Sequence, residues 1–308
     1  MKGLKVFAPA TIGNIGPGFD VLGMAVKGIG DTLTARKVSE PGVRIVSVTG
    51  QANITTNVQK NTAGIAAREV MDLIGAKGGM EIRLEKGIPA GSGLGSSAAS
   101  AAAGAFAANA LFNGRLSRED LILPATKAEE AVSGGFFADN TAPSLLGRAT
   151  VTRSCVPLNV TRIGYIDEMK LVIVTPEISI LTREARAILP KRVAMAGFVG
   201  NMANACLISA AFAANNYALF AQSLKDVVVE PVRAKLIKGF KEVKEVAMTA
   251  GADGMAISGS GPTVFAVTGC LRTARKIEDA MLRTFKRVGV NAKGFITSVD
   301  RRGTRRMS

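Results

Sequence analysis

Residues 88–100 read IPAGSGLGSSAAS, and the reading of this stretch decides the fold. Gly91, Gly93 and Gly95 fall within five positions, just ahead of an alanine-rich run. A glycine inside regular structure costs roughly 0.5–1 kcal/mol relative to alanine. Three together therefore require a backbone at left-handed angles or a close approach by another group. The first turn of a helix leaves several N–H groups without partners and carries about half a positive elementary charge. Glycines ahead of such a turn let the chain wrap an anion, and Ser96 and Ser97 add hydroxyls for phosphate oxygens or Mg²⁺. Lys86, just upstream, is a candidate phosphate cation. Taken alone, the stretch reads equally as a phosphate loop or as a tight turn into a close-packed helix.

Working outward, the first half mixes strand-like and helix-like segments. LKVFAPA, DTLTARKV, VRIVSVTG and MEIRLEKGI have the β-branched, partly alternating character of strands. Helices are predicted over 61–75 and 94–112, the second with side chains small enough to imply close packing on a neighbour. Ser117 and Asp120 form a cap-like start to a further helix running to about Val132, ended by Gly134–Gly135. After a short strand near 149–153 the composition shifts. MKLVIVTPEI reads as a buried strand, and an apolar helix follows over about 194–214. EPVRAKLIKGFKEVKEVAMTAG reads as a helix, GMAISGSGPTVFAVTG as strand–turn–strand, 272–287 as a basic helix and AKGFITSVD as the last strand. The order predicts an α+β protein of two domains, 1–160 and 161–308, the second with helices on one side of a mixed sheet.

Composition narrows the function classes. The 308 residues contain no histidine, which excludes Ser-His-Asp hydrolases, histidine-ligated zinc sites and protein kinases of the H-R-D type. Neither the Walker pattern nor G-x-G-x-x-G is present. The net charge of +15 favours anionic partners. The basic residues are nevertheless dispersed, RRGTRRMS at the end excepted, and aromatics make up only 5%. Stacking platforms for nucleic acid are thus scarce, and no nucleic-acid partner is expected. No run of some 18 uninterrupted apolar residues occurs, so no membrane span is expected. MKGLKVFAPATIG reaches proline and polar residues too early for a secretion signal. Cys155, Cys206 and Cys270, an odd number among apolar neighbours, read as buried, reduced thiols of a cytoplasmic protein.

Two further glycine-rich clusters flank the first: APATIGNIGPGFDVLG at 8–23 and ISGSGPTVFAV at 257–267. Each alone is explained by a turn. In order along the chain, P-A-x-x-x-N-x-G-P-G-F-D, P-x-G-S-G-L-G-S-S-A-A and S-G-S-G-P-T resemble the GHMP family of small-molecule kinases over essentially the whole length. SGGFFADNTAPSLLG (133–147), LTREARAILP (181–190) and EPVRAKLIKGF (230–240) are most similar to its homoserine kinase branch.

The resemblance implies a two-domain GHMP fold. Its first domain is like domain 2 of ribosomal protein S5, with a left-handed β-α-β unit; its second is ferredoxin-like, and the active site lies between them. It implies ATP-dependent phosphorylation of L-homoserine to O-phospho-L-homoserine for threonine biosynthesis, with a homodimer as the assembly. By resemblance Pro89, Gly91, Ser92, Gly93, Leu94, Gly95, Ser96 and Ser97 wrap the ATP phosphates, while Asn61 and Lys86 lie near the nucleoside. Ser97 and Glu129 would hold Mg²⁺, consistent with its preference for hard oxygens. Arg186 and Arg233 match carboxylate-binding positions and Asp20 the position that meets the ammonium. Asn14, Asn140, Thr182, Gly259 and Ser260 complete the substrate end. Asn140, Glu129 and Ser97 form the catalytic set. Some relatives carry an aspartate base where Asn140 stands; an amide cannot take that part, so direct attack without a strong protein base is expected. Asp139 beside it reads at least as well as a cap. Phe137 stands where homoserine kinases commonly carry a histidine, which leaves another carboxylate-bearing alcohol as an alternative acceptor. A non-catalytic, basic nucleic-acid-binding protein is a more distant alternative.

Overall fold

The computed structural model describes residues 3–50 and 54–307. β1 (Leu4–Gly13) pairs antiparallel with the long β2 (Leu22–Val38). β1 begins with alternating burial and is wholly buried from Ala8 on, where it enters the seam between the two sheets. β3 (Gly42–Thr49) crosses over through α1 (Thr62–Leu73) to pair parallel with β4 (Gly79–Glu85). Asn61 caps α1, its side chain accepting from the Ala63 N–H. α2 (Ser96–Leu111) packs on α1 at Gly104, where a Cβ would lie 2.8 Å from the Ala63 carbonyl carbon. The alanine content is thus the price of two backbones in contact.

Ser117 and Asp120 exchange reciprocal hydrogen bonds, but residues 118–121 form a turn, and α3 proper spans Ile122–Ser133. Gly134 ends it at φ +75°. α4 (Thr141–Leu146) follows, then the hairpin β5 (Ala149–Cys155) and β6 (Leu158–Gly164), which extends the first sheet from β2. β6 runs through the boundary expected at residue 160, so the change of sheet falls after Gly164.

The second sheet opens with β7 (Lys170–Pro176). The helices α5 (Thr182–Ala187), α6 (Met195–Ala213), α7 (Tyr217–Ser223), α8 (Glu230–Arg233) and α9 (Phe240–Thr249) come next. They lead to β8 (Gly254–Ile257), β9 (Val264–Thr268), α10 (Leu271–Arg287) and β10 (Ala292–Thr297). The strand order β10-β7-β9-β8 is antiparallel throughout, the ferredoxin-like arrangement. The expected mixed sheet is instead the first one, through its parallel β3–β4 pair. Alternation along β7 divides the core. Val172 and Val174 face α9 and α10, whereas Leu171 and Ile173 join the core of the first sheet.

Three features depart from the sequence reading. After β10 the chain returns to the first sheet: Val299 bridges Val26, and β11 (Arg305–Arg306) pairs with the edge of β1. The apolar α6 is mostly exposed, with only Ile208, Ala211 and Phe212 buried. By length and composition it is also the one described helix that could cross a membrane. Asn201 and Asn204 fasten it to Asp226 and the Lys225 carbonyl. Finally, Cys206 and Cys270 are exposed and Cys155 half-buried, all three free. Cys206 lies on the uncovered α6 and Cys270 at the start of α10, which explains why apolar neighbours in sequence did not bury them.

Candidate active site

The three glycine-rich loops hold one another. The Thr11 N–H donates to the Leu94 carbonyl, the Gly259 N–H to Gly13, and the Thr263 N–H to Ser92. Ser258 Oγ donates to the Gly93 carbonyl at 2.7 Å, and Asn14 Nδ2 to the Gly259 carbonyl at 2.9 Å. The glycines therefore answer to the chain itself as much as to a ligand. Gly93 and Gly95 have φ of +82° and +62°. A Cβ on Gly93 would lie 2.6 Å from the Ser258 carbonyl oxygen, and one on Gly95 would collide with Thr11 Oγ1. Gly91, also left-handed, has only Ser179 Oγ and the Ile180 carbonyl within 4 Å and is the one that borders open space.

All three loops line a cavity of about 140 Å³, which meets a second of about 270 Å³ at Gly91, Ser96 and Ser97. The first collects most of the expected site. The helix-entry residues Gly91, Ser92, Gly93, Gly95, Ser96 and Ser97 form one end together with Glu129. Asn14, Asp20, Thr182, Arg186 and Arg233, with Asn140, Gly259 and Ser260, form the other. Asn61 and Lys86 border the second cavity. Pro89 and Leu94 border neither: Leu94 is buried as a core residue, and Pro89 accepts the Ser92 hydroxyl through its carbonyl.

Several of these side chains have tasks other than those expected. The Lys86 ammonium is buried against Asp31 and also donates to the Ser96 carbonyl and to Ser100 Oγ. Its three protons are thereby used, and it fastens the start of α2 to β2 rather than offering itself as a phosphate cation. Burial lowers its pKa against the opposing pull of Asp31. Ser96 Oγ donates to the Ile88 carbonyl and Ser92 Oγ to Pro89, so both hydroxyls close the loop. Ser97 is different, donating to Glu129 Oε2 at 3.0 Å inside the cleft. Burial pushes the Glu129 carboxyl up to about 7, with Ser97 and Lys86 pulling the other way.

At the far end Arg186, on α5, grips Asp20 with both terminal nitrogens at 2.9 Å. Asp20 sits at φ +58°, its N–H donating to Asn14 Oδ1, so Asn14 sets the position of the carboxylate. Arg233 is buried, donating to the carbonyls of Ala185 and Gly259. Burial and the neighbouring Arg186 lower its pKa. Asn140 accepts from Thr11 Oγ1 at 2.7 Å and donates to Asp139 Oδ2 at 3.1 Å. Asp139 lines the cavity and is not a cap. Its carboxyl is raised to about 7, by burial first and then by Asp20. Gly13 makes room for this pair, since a Cβ there would lie 2.5 Å from Asp139 Oδ2. Nothing in DTLTARKV signals that its first residue, Asp31, is buried; Asp139 reads in sequence at least as well as a cap because the motif centres on its neighbour Asn140.

Residues 60–148 match the family described as GHMP kinases N terminal domain, and 208–287 that described as GHMP kinases C terminal. A homoserine kinase of Methanococcus vannielii is 42% identical over 87% of this chain and 88% of its own. One of Chloroherpeton thalassium is 38% identical over 99% of each. The crystal structure of homoserine kinase from Cytophaga hutchinsonii superposes with a TM-score of 0.94 at 37% identity, covering 100% of this chain and 98% of that one. With a three-loop cleft between an S5-like and a ferredoxin-like sheet, and relatives aligned along its length, this chain belongs to the GHMP kinase family, in its homoserine kinase branch.

Proposed function

We propose that the chain transfers the γ-phosphoryl group of ATP to the hydroxyl of L-homoserine, giving O-phospho-L-homoserine and ADP. The observation that carries this reading is the polarity of one cleft. At one end lie the N-terminus of α2 and the Ser97–Glu129 pair, suited to a phosphate chain; at the other, Asp20 faces Arg186 beside Arg233. The acidic and basic members of that end match an ammonium and a carboxylate one carbon apart. Asn61 and the second cavity are left for the nucleoside. Ser97 and Glu129 supply a hydroxyl and a carboxylate, hard oxygens that fit Mg²⁺ when phosphates complete its shell. Bound there, Mg²⁺ would neutralise charge on the phosphates.

The chain's own residues do the rest by placement. Phosphoryl transfer has a loose transition state, so alignment and charge compensation supply most of the rate. Arg186, Arg233 and Asp20 hold the amino-acid end, and the N–H groups opening α2 face the phosphates. Asn140, fixed between Thr11 and Asp139, orients the hydroxyl. The oxygen–phosphorus bond forms as the bridge to ADP breaks, and the hydroxyl proton leaves late, to a phosphoryl oxygen.

The test is ADP release with Mg·ATP and homoserine, against serine, threonine, shikimate and mevalonate. Turnover on homoserine alone supports the proposal; turnover on another acceptor alone overturns the substrate. Phe137 at the substrate end favours a second reading, another small alcohol bearing a carboxylate. A cytoplasmic location agrees with the three free cysteines. The exposed apolar residues of α6, Phe198 at 53% and Met202 at 48%, support a homodimer through that helix. A sedimentation mass of one chain would refute the dimer.

A further inference from the structure

Phe137 has a position in the cleft that its apolar character does not explain. The Arg186 guanidinium carbon lies 4.3 Å from the centre of its ring. A second ring, Phe19, lies 5.3 Å from the same carbon and 5.0 Å from that of Arg233. An aromatic face carries negative charge density and attracts a cation set over it, and the planar guanidinium stacks there with its N–H edges left open. The edges of Arg186 are engaged separately, by the bidentate bond to Asp20. The Arg186 side chain is 36% exposed and stands on a helix of six residues. Nothing on its own element holds it in the cleft.

We propose that Phe137 is a positioning residue, whose ring holds the Arg186 guanidinium at the carboxylate end of the cleft. The inference rests on the assignment of Arg186 to the substrate carboxylate. The local chain is built for this placement. α3 stops at Gly134, and at Gly135 a Cβ would press to within 3.2 Å of the Phe137 ring. The bare Gly135 lets the ring settle in the cavity wall. When substrate arrives, its ammonium and carboxylate replace the internal Asp20–Arg186 contact, and Arg186 must stay in place while its edge changes partner. A stacked face survives that exchange, whereas a second hydrogen-bond partner would compete with it. The charged groups that share the cavity lining with the ring are Asp20, Glu129, Asp139, Arg186 and Arg233, and phenylalanine adds no titration of its own to them.

Phe137→Leu removes the aromatic face while keeping apolar bulk, and Phe137→Tyr restores it. With Phe137→Leu, KM for homoserine should rise about 3- to 30-fold. KM for ATP and kcat should stay within about twofold, the pattern of a lost substrate-binding contact. Phe137→Tyr should lie near the parent. An unchanged homoserine KM in Phe137→Leu, or an equal rise in the ATP KM, overturns the proposal. A second measurement needs no acceptor. In urea unfolding of the substrate-free protein, Phe137→Leu and Arg186→Met should be non-additive. Additive effects overturn the clamp. Non-additive effects in a protein that does not turn over homoserine keep the clamp and reject the substrate instead.

Discussion

Replacing Glu129 by glutamine preserves an acceptor for the Ser97 hydroxyl, 3.0 Å away, and removes the charge. Burial raises the parent carboxyl from 4.5 to about 7. At about 1.36 kcal/mol per unit, holding it ionised costs the fold roughly 3 kcal/mol, an upper figure because the neighbouring Asp139 titrates in the same range. The sign follows from the raised value. The folded protein binds this proton more tightly than the unfolded chain. The associated stability is complete below about pH 4.5, is lost as pH rises towards 7, and is flat above. Glu129→Gln lacks that decline. Urea unfolding in chelator should show parent and variant within about 1 kcal/mol at pH 5, with the variant's lead widening by about 1–3 kcal/mol at pH 8. Phosphoryl transfer should meanwhile fall on the order of 10²–10³-fold. A stability gap that does not change between pH 5 and 8 would refute the account, leaving Glu129 as a packing residue.

Asp139→Asn should lower kcat less than about tenfold if attack proceeds without a protein base, and a loss of 10²–10⁴ in the pH–rate profile would identify Asp139 as that base instead. Lys86→Met leaves Asp31 buried without its cation and should destabilise by about 3–5 kcal/mol. Pairing it with Asp31→Leu should recover much of this in thermal unfolding, and no recovery would count against the anchoring role. Gly95→Ala combines a left-handed backbone with a collision at Thr11 and should cost at least about 1–2 kcal/mol, with a matching fall in Tm.

The three loops were legible in the sequence because glycine at left-handed angles has few substitutes, and their order along the chain is itself distinctive. What the glycines answer to was not legible. Gly93 and Gly95 are demanded by Ser258 and Thr11, residues 165 and 84 positions away, contacts that only the folded chain creates. The same limit hid the occupation of Lys86, since a lysine before a phosphate loop looks identical whether its protons face a ligand or Asp31. Segment types read well wherever periodicity was strong, as for α10 and β7. The two-residue β11 has no periodicity to read, and the exposure of α6 depends on what the rest of the chain fails to cover. Arg186 in sequence lies among other charges of a short helix; its stacking on Phe137 brings together residues from two separate segments.

The return of β11 to the edge of β1 has a consequence for biosynthesis. Strand Leu4–Gly13 leaves the ribosome well ahead of its outer neighbour, Arg305–Arg306. At about 5–20 residues per second, the interval is roughly 15–60 s. Throughout it the nascent first sheet carries an open edge, available to other extended chains in a crowded polysome. Arg305 and Arg306 close that edge with charge as well as with hydrogen bonds, so protection against mispairing arrives only once this strand has been made.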